Sequence, residues 1–353
     1  MIATPGRIVV AMSGGVDSSV AAALLVEQGF EVIGVMMHLW AEEENRCCSP
    51  QAIDDARRVA VQLGIAFHLL DYEAEFKACV VDYFVAEYSQ GRTPNPCLAC
   101  NRHIRFDRLL REARALGANG MATGHYARVE QVDDIYRLRT GIDPQKDQSY
   151  VLYMLGQEEL QQLLFPVGAY SKPQVRDMAR RHGLPVADKD ESMELCFVTD
   201  DDYRRFLRQH APRPIQPGPI LDSSGRELGQ HQGLPFYTIG QRRGLGIAAP
   251  EALYVIHLDV ARNALVVGTM DELGRRVLHA DKVSYVSGHT PASPVRVQAK
   301  IRYKALLSEA TWIPQADGQA RVEFDLPLRD ITPGQAVVAY QGDVLLGGGI
   351  IDG

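Results

Sequence analysis

Ser13-Gly14-Gly15-Val16-Asp17-Ser18-Ser19 stands between the apolar stretch Arg7 to Met12 and the start of a helical pattern, which makes it a glycine-rich, hydroxyl-bearing loop at a strand-to-helix junction. Such a junction binds phosphate. The glycines let the backbone come close to an anion, the unpaired amides of the first helical turn point at it, and Ser13, Ser18 and Ser19 add hydroxyl donors. No Lys ends the loop, so it is not a Walker A sequence, and the G-x-G-x-x-G of dinucleotide-binding folds is absent. A glycine turn with serine caps is the plain structural alternative.

The chain around the loop alternates strands and helices, which predicts a parallel sheet with crossover helices. Strands are expected at Arg7 to Met12, Glu31 to Met37, Ala66 to Asp71 and Gly120 to Thr123. Helices are expected at Asp17 to Gln28, at Pro50 to Leu63 behind the Ser49 cap, at Glu73 to Gln90 and at Arg102 to Leu116. Ligands of such sheets sit beyond the carboxyl ends of the strands, so the loop, Met36-Met37 and Thr123-Gly124-His125 should gather on one edge. Two further helices are expected, one from Ser171 to a stop at Gly183 and one from Asp200 to His210. After Pro212-Arg213-Pro214 the texture changes to short strands and Gly/Pro-rich turns. Boundaries near 212 and 280 divide the chain into 1–212, 213–280 and 281–353.

At 353 residues there is room for two or three cores, and 46% hydrophobic with 23% charged residues is ordinary for a globular protein. The apolar run Val20 to Val26 is too short to span a bilayer, and no basic-then-apolar leader precedes Arg7. A cytoplasmic protein without membrane contact is expected. A net charge of -7 argues against a positively coated surface, yet Arg92, Arg102, Arg105, Arg108, Arg111 and Arg114 cluster locally, three of them at helical spacing. That face suits a phosphate backbone, or is a solvated helix surface.

Six cysteines in such a chain suggest thiols or ligands rather than a disulfide scaffold. Cys97-Leu98-Ala99-Cys100 follows Thr93-Pro94-Asn95-Pro96, whose prolines should hold the pair on a stiff loop before the arginine-rich helix. That position favours the thiolate. A C-x-x-C pair can be half of a zinc or iron-sulfur site, a redox couple, or one reactive thiol with a bystander. No second C-x-x-C completes a zinc site, and the adjacent Cys47-Cys48 cannot supply one. Cys79 falls in the apolar stripe of Phe76, Val80 and Tyr83, and Cys196 taken alone suits a core thiol.

The loop resembles the PP-loop of ATP pyrophosphatases, which cut ATP between its α and β phosphates and adenylate an oxygen. With it stand GRTPNPCLACN at Gly91 to Asn101, ATGHYAR at Ala122 to Arg128, KDQSY at Lys146 to Tyr150, LCF around Cys196, GQHQGL, TIGQRRGLGI and the closing TPGQAVVAYQGDVLLGGGII. Together they resemble, in order and over nearly the whole chain, the tRNA-specific 2-thiouridylase family. The resemblance implies an α/β fold: a Rossmann-like parallel sheet followed by two smaller, mainly β domains, the last a β-barrel.

It also implies a reaction in which the C2 oxygen of a wobble uridine is adenylated and then replaced by sulfur. ATP is expected on Ala11, Met12, Ser13, Gly14, Gly15, Val16, Asp17, Ser18, Met37 and Gly124, with Mg²⁺ neutralising its phosphates and Asp17 near the metal or pyrophosphate. Cys196 is expected to carry a persulfide. Cys100 either resolves it through a Cys100–Cys196 disulfide or releases sulfide. Asn95, Pro96 and Cys97 would border the flipped base, and His125, Lys146, Asp147, Gln148, Arg302, Tyr303 and Gln335 would touch tRNA. His125 as a satisfied core histidine and Arg302 as an ordinary strand charge are the structural alternatives. The sulfur donor is a cysteine desulfurase or a relay protein. Some family members have Asp where Cys97 stands, a carboxylate that could act as acid or base; either Cys97 is no proton-transfer group, or, less favoured, the Cys97, Cys100 and Cys196 trio holds an iron-sulfur cluster or zinc. Two other functions stay open: another adenylating enzyme, of the amide-forming or tRNA lysidine synthetase type, and an ATP-binding RNA-binding protein.

Overall fold

The computed structural model describes residues 6–42, 49–189 and 195–352. Four strands, β1 (Arg7–Met12), β2 (Glu31–His38), β3 (Ala66–Asp71) and β4 (Gly120–Thr123), form a parallel sheet completed by the short strand Leu163–Leu164. In space the order is β3, β2, β1, β4, then Leu163–Leu164. The chain leaves β1 toward β2 on one side and returns beside β1 as β4 on the other, so the order reverses between β1 and β4. A crevice opens there at the carboxyl ends.

Strand alternation builds two cores. Val9, Ala11, Val35, Met37 and Met121 point to one face, Ile8, Val10, Met12, Met36 and Ala122 to the other. The second face is covered by helix α1 (Val16–Glu27), helix α2 (Pro50–Leu63) and the helix Lys172–Arg181. α2 starts as the sequence indicates: Ser49 Oγ accepts from the Ala52 amide at 3.1 Å, and Gly64 closes it at φ +67°. Ser171 heads Lys172–Arg181 with a capping box to Gln174.

The first face is covered by two long helical runs. One extends from Glu73 to Ser89 and widens to π-type bonding over Lys77–Asp82. The other starts at Pro96, not at Arg102, and continues through a π-type stretch at Cys100–Leu109 to Ala115. Proline suits a first helical position, where its missing N–H has no acceptor to lose, and Asn95 caps the end. Cys97 and Cys100 therefore lie on the helix itself and not on the loop before it.

Four strands between Gly218 and Gly268 form a small sheet, with the turns at Asp222–Gly225 and Ala261–Asn263 in place. The last sheet closes on itself: strand Arg275–Tyr285 pairs with Ala320–Leu328 on one side and with Val344–Ile351 on the other, giving a six-stranded barrel around the fully buried Trp312. That strand runs unbroken through residue 280. The hairpin Ala127–Val132/Ile135–Thr140, absent from the sequence expectation, leaves the first region and joins the barrel sheet at Arg139 opposite Val344. Its two-residue turn, Asp133-Asp134, has φ +50° and +63°, a conformation matched to strand twist. No helix of the described residues is long and apolar enough to cross a membrane.

Candidate functional site

The loop after β1 holds its shape through its own hydroxyls. Ser18 Oγ accepts from the Ser13 amide at 3.2 Å, and Ser19 Oγ donates to the Gly15 carbonyl at 2.8 Å. Gly14 sits at φ +66°, and a Cβ there would lie 2.3 Å from the Ala52 carbonyl oxygen of α2, so only glycine fits. Ala11, Met12, Val16 and Ser18 are buried, whereas the Ser13 side chain faces solvent. Gly124, just past β4, closes the crevice from the other side: a Cβ would stand 2.7 Å from the Ser18 amide nitrogen. Met37 is buried on the face shared with Ala11.

Two lysines that the sequence did not single out converge on this loop. Lys172, itself buried, places Nζ 2.7 Å from both carboxylate oxygens of Asp17, which also accepts from the Tyr126 hydroxyl at 2.7 Å. Those bonds occupy the Asp17 carboxylate. Asp17 thus braces the loop through an ion pair and a tyrosine hydrogen bond, beside the position expected for the metal or pyrophosphate. Lys189 donates to the Gly14 carbonyl at 2.9 Å and to Asp55 at 2.7 Å. Both ammonium groups thus lie against the loop, each matched by a carboxylate. Ser171-Lys172-Pro173 signals only a helix start, so the reach of Lys172 across the fold had no local sequence signature.

Asn95 Oδ1 accepts from the Cys97 amide at 3.0 Å, which fixes the first turn of the Pro96 helix. Cys97 is exposed and Cys100 buried. Cys100 belongs to the hydrophobic cluster that contains Ala11 and Met37, and Cys196 packs against it. The turn at Cys196 is anchored by Phe197, whose ring meets Phe76, Phe84 and Phe206 at 5.3 to 6.1 Å. Cys79, Cys97, Cys100 and Cys196 carry thiols, not disulfides, and Cys79 lines the helix stripe as expected. Cys47 and Cys48 lie outside the described residues. Among the described residues, one trio of His, Cys, Asp or Glu donors converges within 4.8 Å: His38, Asp71 and Glu73, not Cys97, Cys100 and Cys196.

The residues expected to touch tRNA divide by environment. His125 is buried between Phe106 and Phe165; its Nδ1 lies 2.7 Å from Thr123 Oγ1, and burial, then the nearby Arg105, holds its pKa well below the ordinary histidine value. Asp147 is buried and accepts from the Gly141 and Ser149 amides. Gln148 accepts from the Tyr126 amide at 3.1 Å. Lys146 is half-buried beside them. Arg302 is exposed with an ion pair to Asp330, and the Tyr303 ring lies 6.0 Å from that of Tyr150. Gln335 donates to the Thr93 carbonyl at 2.8 Å. The arginine stripe is engaged with protein groups: Arg105 with Asn101, Arg108 with Glu75, Arg111 with Asp107 and Arg114 with Gln162.

Three family models match consecutive stretches of the chain: a tRNA methyl transferase HUP domain over residues 6–200, a tRNA methyl transferase PRC-barrel domain over 204–269, and an aminomethyltransferase β-barrel domain over 275–351. The chain is 54% identical over 351 residues to the tRNA-specific 2-thiouridylase MnmA of Moorella thermoacetica, covering 97% of this chain and 98% of that one. It is 51% identical to the protein of the same name from Herpetosiphon aurantiacus, covering 98% of each chain. Identity at that level over the full length of both partners, on a sheet whose switch point carries a hydroxyl-lined phosphate loop, means that the chain belongs to the tRNA-specific 2-thiouridylase family.

Proposed function

We propose that this protein replaces the C2 oxygen of a tRNA wobble uridine by sulfur at the expense of ATP. The observation that carries the reading is one shared core: Ala11 and Met37 beside the nucleotide loop, Cys100 on the Pro96 helix and Cys196 in its aromatic-anchored turn all pack into the same hydrophobic cluster. In this reading activation and sulfur delivery share one packed core.

A uracil carbonyl oxygen is a poor leaving group. Attack of O2 on the α-phosphorus of ATP expels pyrophosphate, which the loop amides, the Ser13 hydroxyl and the nearby Lys172 and Lys189 would hold. Mg²⁺ enters with ATP as part of the substrate; with Asp17 engaged by Lys172, the phosphates are its natural ligands. A persulfide on Cys196 attacks C2 with its terminal sulfur and expels AMP. Cys100 then attacks Cys196 Sγ, the S–S bond breaks to leave the thiocarbonyl, and the resulting Cys100–Cys196 disulfide is reduced by an external dithiol. If Cys100 attacks first, hydrosulfide leaves and itself attacks C2, with the same disulfide as product. The persulfide comes from a cysteine desulfurase or a relay protein. Asn95, Pro96 and the exposed Cys97, at the start of the helix, would border the flipped base.

In this reading the region to about 212 performs the chemistry. The small sheet up to the Met270–Leu273 turn and the barrel after it shape the tRNA site. The test is nucleoside mass spectrometry of tRNA incubated with protein, ATP and a persulfide source. Cys100→Ser and Cys196→Ser should each abolish 2-thiouridine while leaving ATP binding within about twofold of the parent. Full thiolation by either variant removes that cysteine from the mechanism. Pyrophosphate release without any thiolated nucleoside, in the parent protein, would favour a different adenylation product.

A further inference from the structure

The three regions of the chain meet at Gly91-Arg92-Thr93, directly before the Pro94-Asn95-Pro96 approach to the cysteine helix. Gly91, at φ +70°, ends the helix containing Glu87, and a Cβ there would stand 2.8 Å from Val260 Cγ2 of the small sheet. The Thr93 hydroxyl lies 3.3 Å from that of Thr238 in the same region. On the barrel side, the Thr93 amide donates to the Pro333 carbonyl at 2.8 Å, and the Thr93 carbonyl accepts from Gln335. Gly334, at φ +92°, lies so close that a Cβ would be 2.9 Å from the Thr93 nitrogen. Arg92 spans the joint. Its Nε binds Glu87 at 2.9 Å, its Nη1 binds Asp352 at 2.8 Å, and its Nη2 donates to the Ile351 carbonyl at 3.3 Å.

We propose that Arg92 is a positioning residue for sulfur transfer, fastening the chain that leads into the cysteine helix, and the helix before it, to the last barrel strand so that the barrel fixes where Cys97 and Cys100 stand. The planar guanidinium suits the task, since it engages three acceptors on two elements in a fixed fork that a lysine ammonium cannot match. Two of its partners are on the barrel and one on the helix that ends at Gly91, so the side chain sets an angle between them and not merely a distance. Arg92 lies outside the nucleotide loop and carries no thiol. Its effect should therefore fall on the geometry of the chemical step and not on ATP binding.

The inference rests on the assignment of Cys100 to sulfur transfer, and one of its two readouts does not depend on that assignment. Arg92→Gln should lower the single-turnover rate of 2-thiouridine formation by about tenfold or more, with tRNA affinity and ATP affinity unchanged. Arg92→Lys should recover part of the rate, because it restores the charge without the fork. Timed alkylation followed by peptide mass spectrometry should show the buried Cys100 modified faster in Arg92→Gln than in the parent, with Cys97 reactive in both. Asp352→Asn, at an exposed partner, should shift both readouts in the same direction by a smaller factor and serves if Arg92→Gln does not fold. Parent-like thiolation together with parent-like Cys100 alkylation in the folded variants overturns the proposal. A rate loss matched by an equal loss of ATP or tRNA binding overturns it as well. A parent protein that makes no 2-thiouridine contradicts the assigned function instead, and the alkylation comparison still decides the role of Arg92.

Discussion

His125 is uncharged in the folded protein near neutral pH, because burial among Phe106 and Phe165 and the neighbouring Arg105 both oppose its protonation. Its folded pKa lies well below the unfolded value of about 6.5, so below that value the unfolded chain binds the extra proton. The stability it contributes is complete above that pH and is lost as pH falls. Denaturant midpoints should therefore drop more between pH 7.5 and 5.5 in the parent than in His125→Gln. His103 and His231 are shifted the same way, so the comparison between variant and parent isolates His125. Equal slopes would mean that the ring is hydrated and available to RNA. The core-histidine alternative foreseen for this position describes its surroundings. The loop residues Ser13 to Ser18 were legible because their chemistry is local: glycines, hydroxyls and a helix start are written in consecutive positions. Lys172 was not, since a lysine that crosses more than 150 residues of chain to meet Asp17 looks in sequence like any surface lysine.

At the crevice beyond the strand ends, β4 and the loop after β1 approach each other closely through backbone. A Cβ at position 124 would meet the Ser18 nitrogen at 2.7 Å and the Asp17 carbonyl carbon at 2.8 Å, and neither can swing aside as a side-chain end would. Gly124→Ala should cost about 1–3 kcal/mol in stability by overpacking and raise the KM for ATP at least severalfold. An unchanged KM for ATP in a folded variant would take β4 out of the nucleotide site. Strand and helix positions followed from period-two and period-3.6 patterning, and Ser49, Gly64 and Ser171 marked their helix ends as capping chemistry predicts. The structure starts the cysteine helix at Pro96, six residues before the Arg102 that sequence patterning indicates, because prolines ahead of a helix also suit a loop. At the first turn they are helix starters, and only the Asn95 cap distinguishes the two roles.

Across the whole molecule the barrel is a structural partner of the first region and not an appendage. The hairpin Ala127–Thr140 lends it two strands, Asp343 pairs with both Arg128 and Arg139, and the Thr140 amide bonds to the Asp343 carbonyl. A fragment ending at residue 269 should expose the Ile135–Thr140 edge, self-associate in light scattering and fail to thiolate tRNA. A monodisperse, active fragment would show that the hairpin needs no barrel. Sequence alone determined the phosphate loop, the parallel sheet that presents it, the cysteine pair and the family, because each is encoded by residue type at short spacing. Tertiary structure alone decided that Asp17 is held by Lys172, that the first region shares a sheet with the barrel, and that Arg92 sits where all three regions meet. Those are contacts between residues far apart in the chain, set by how faces pack, and no local pattern records them.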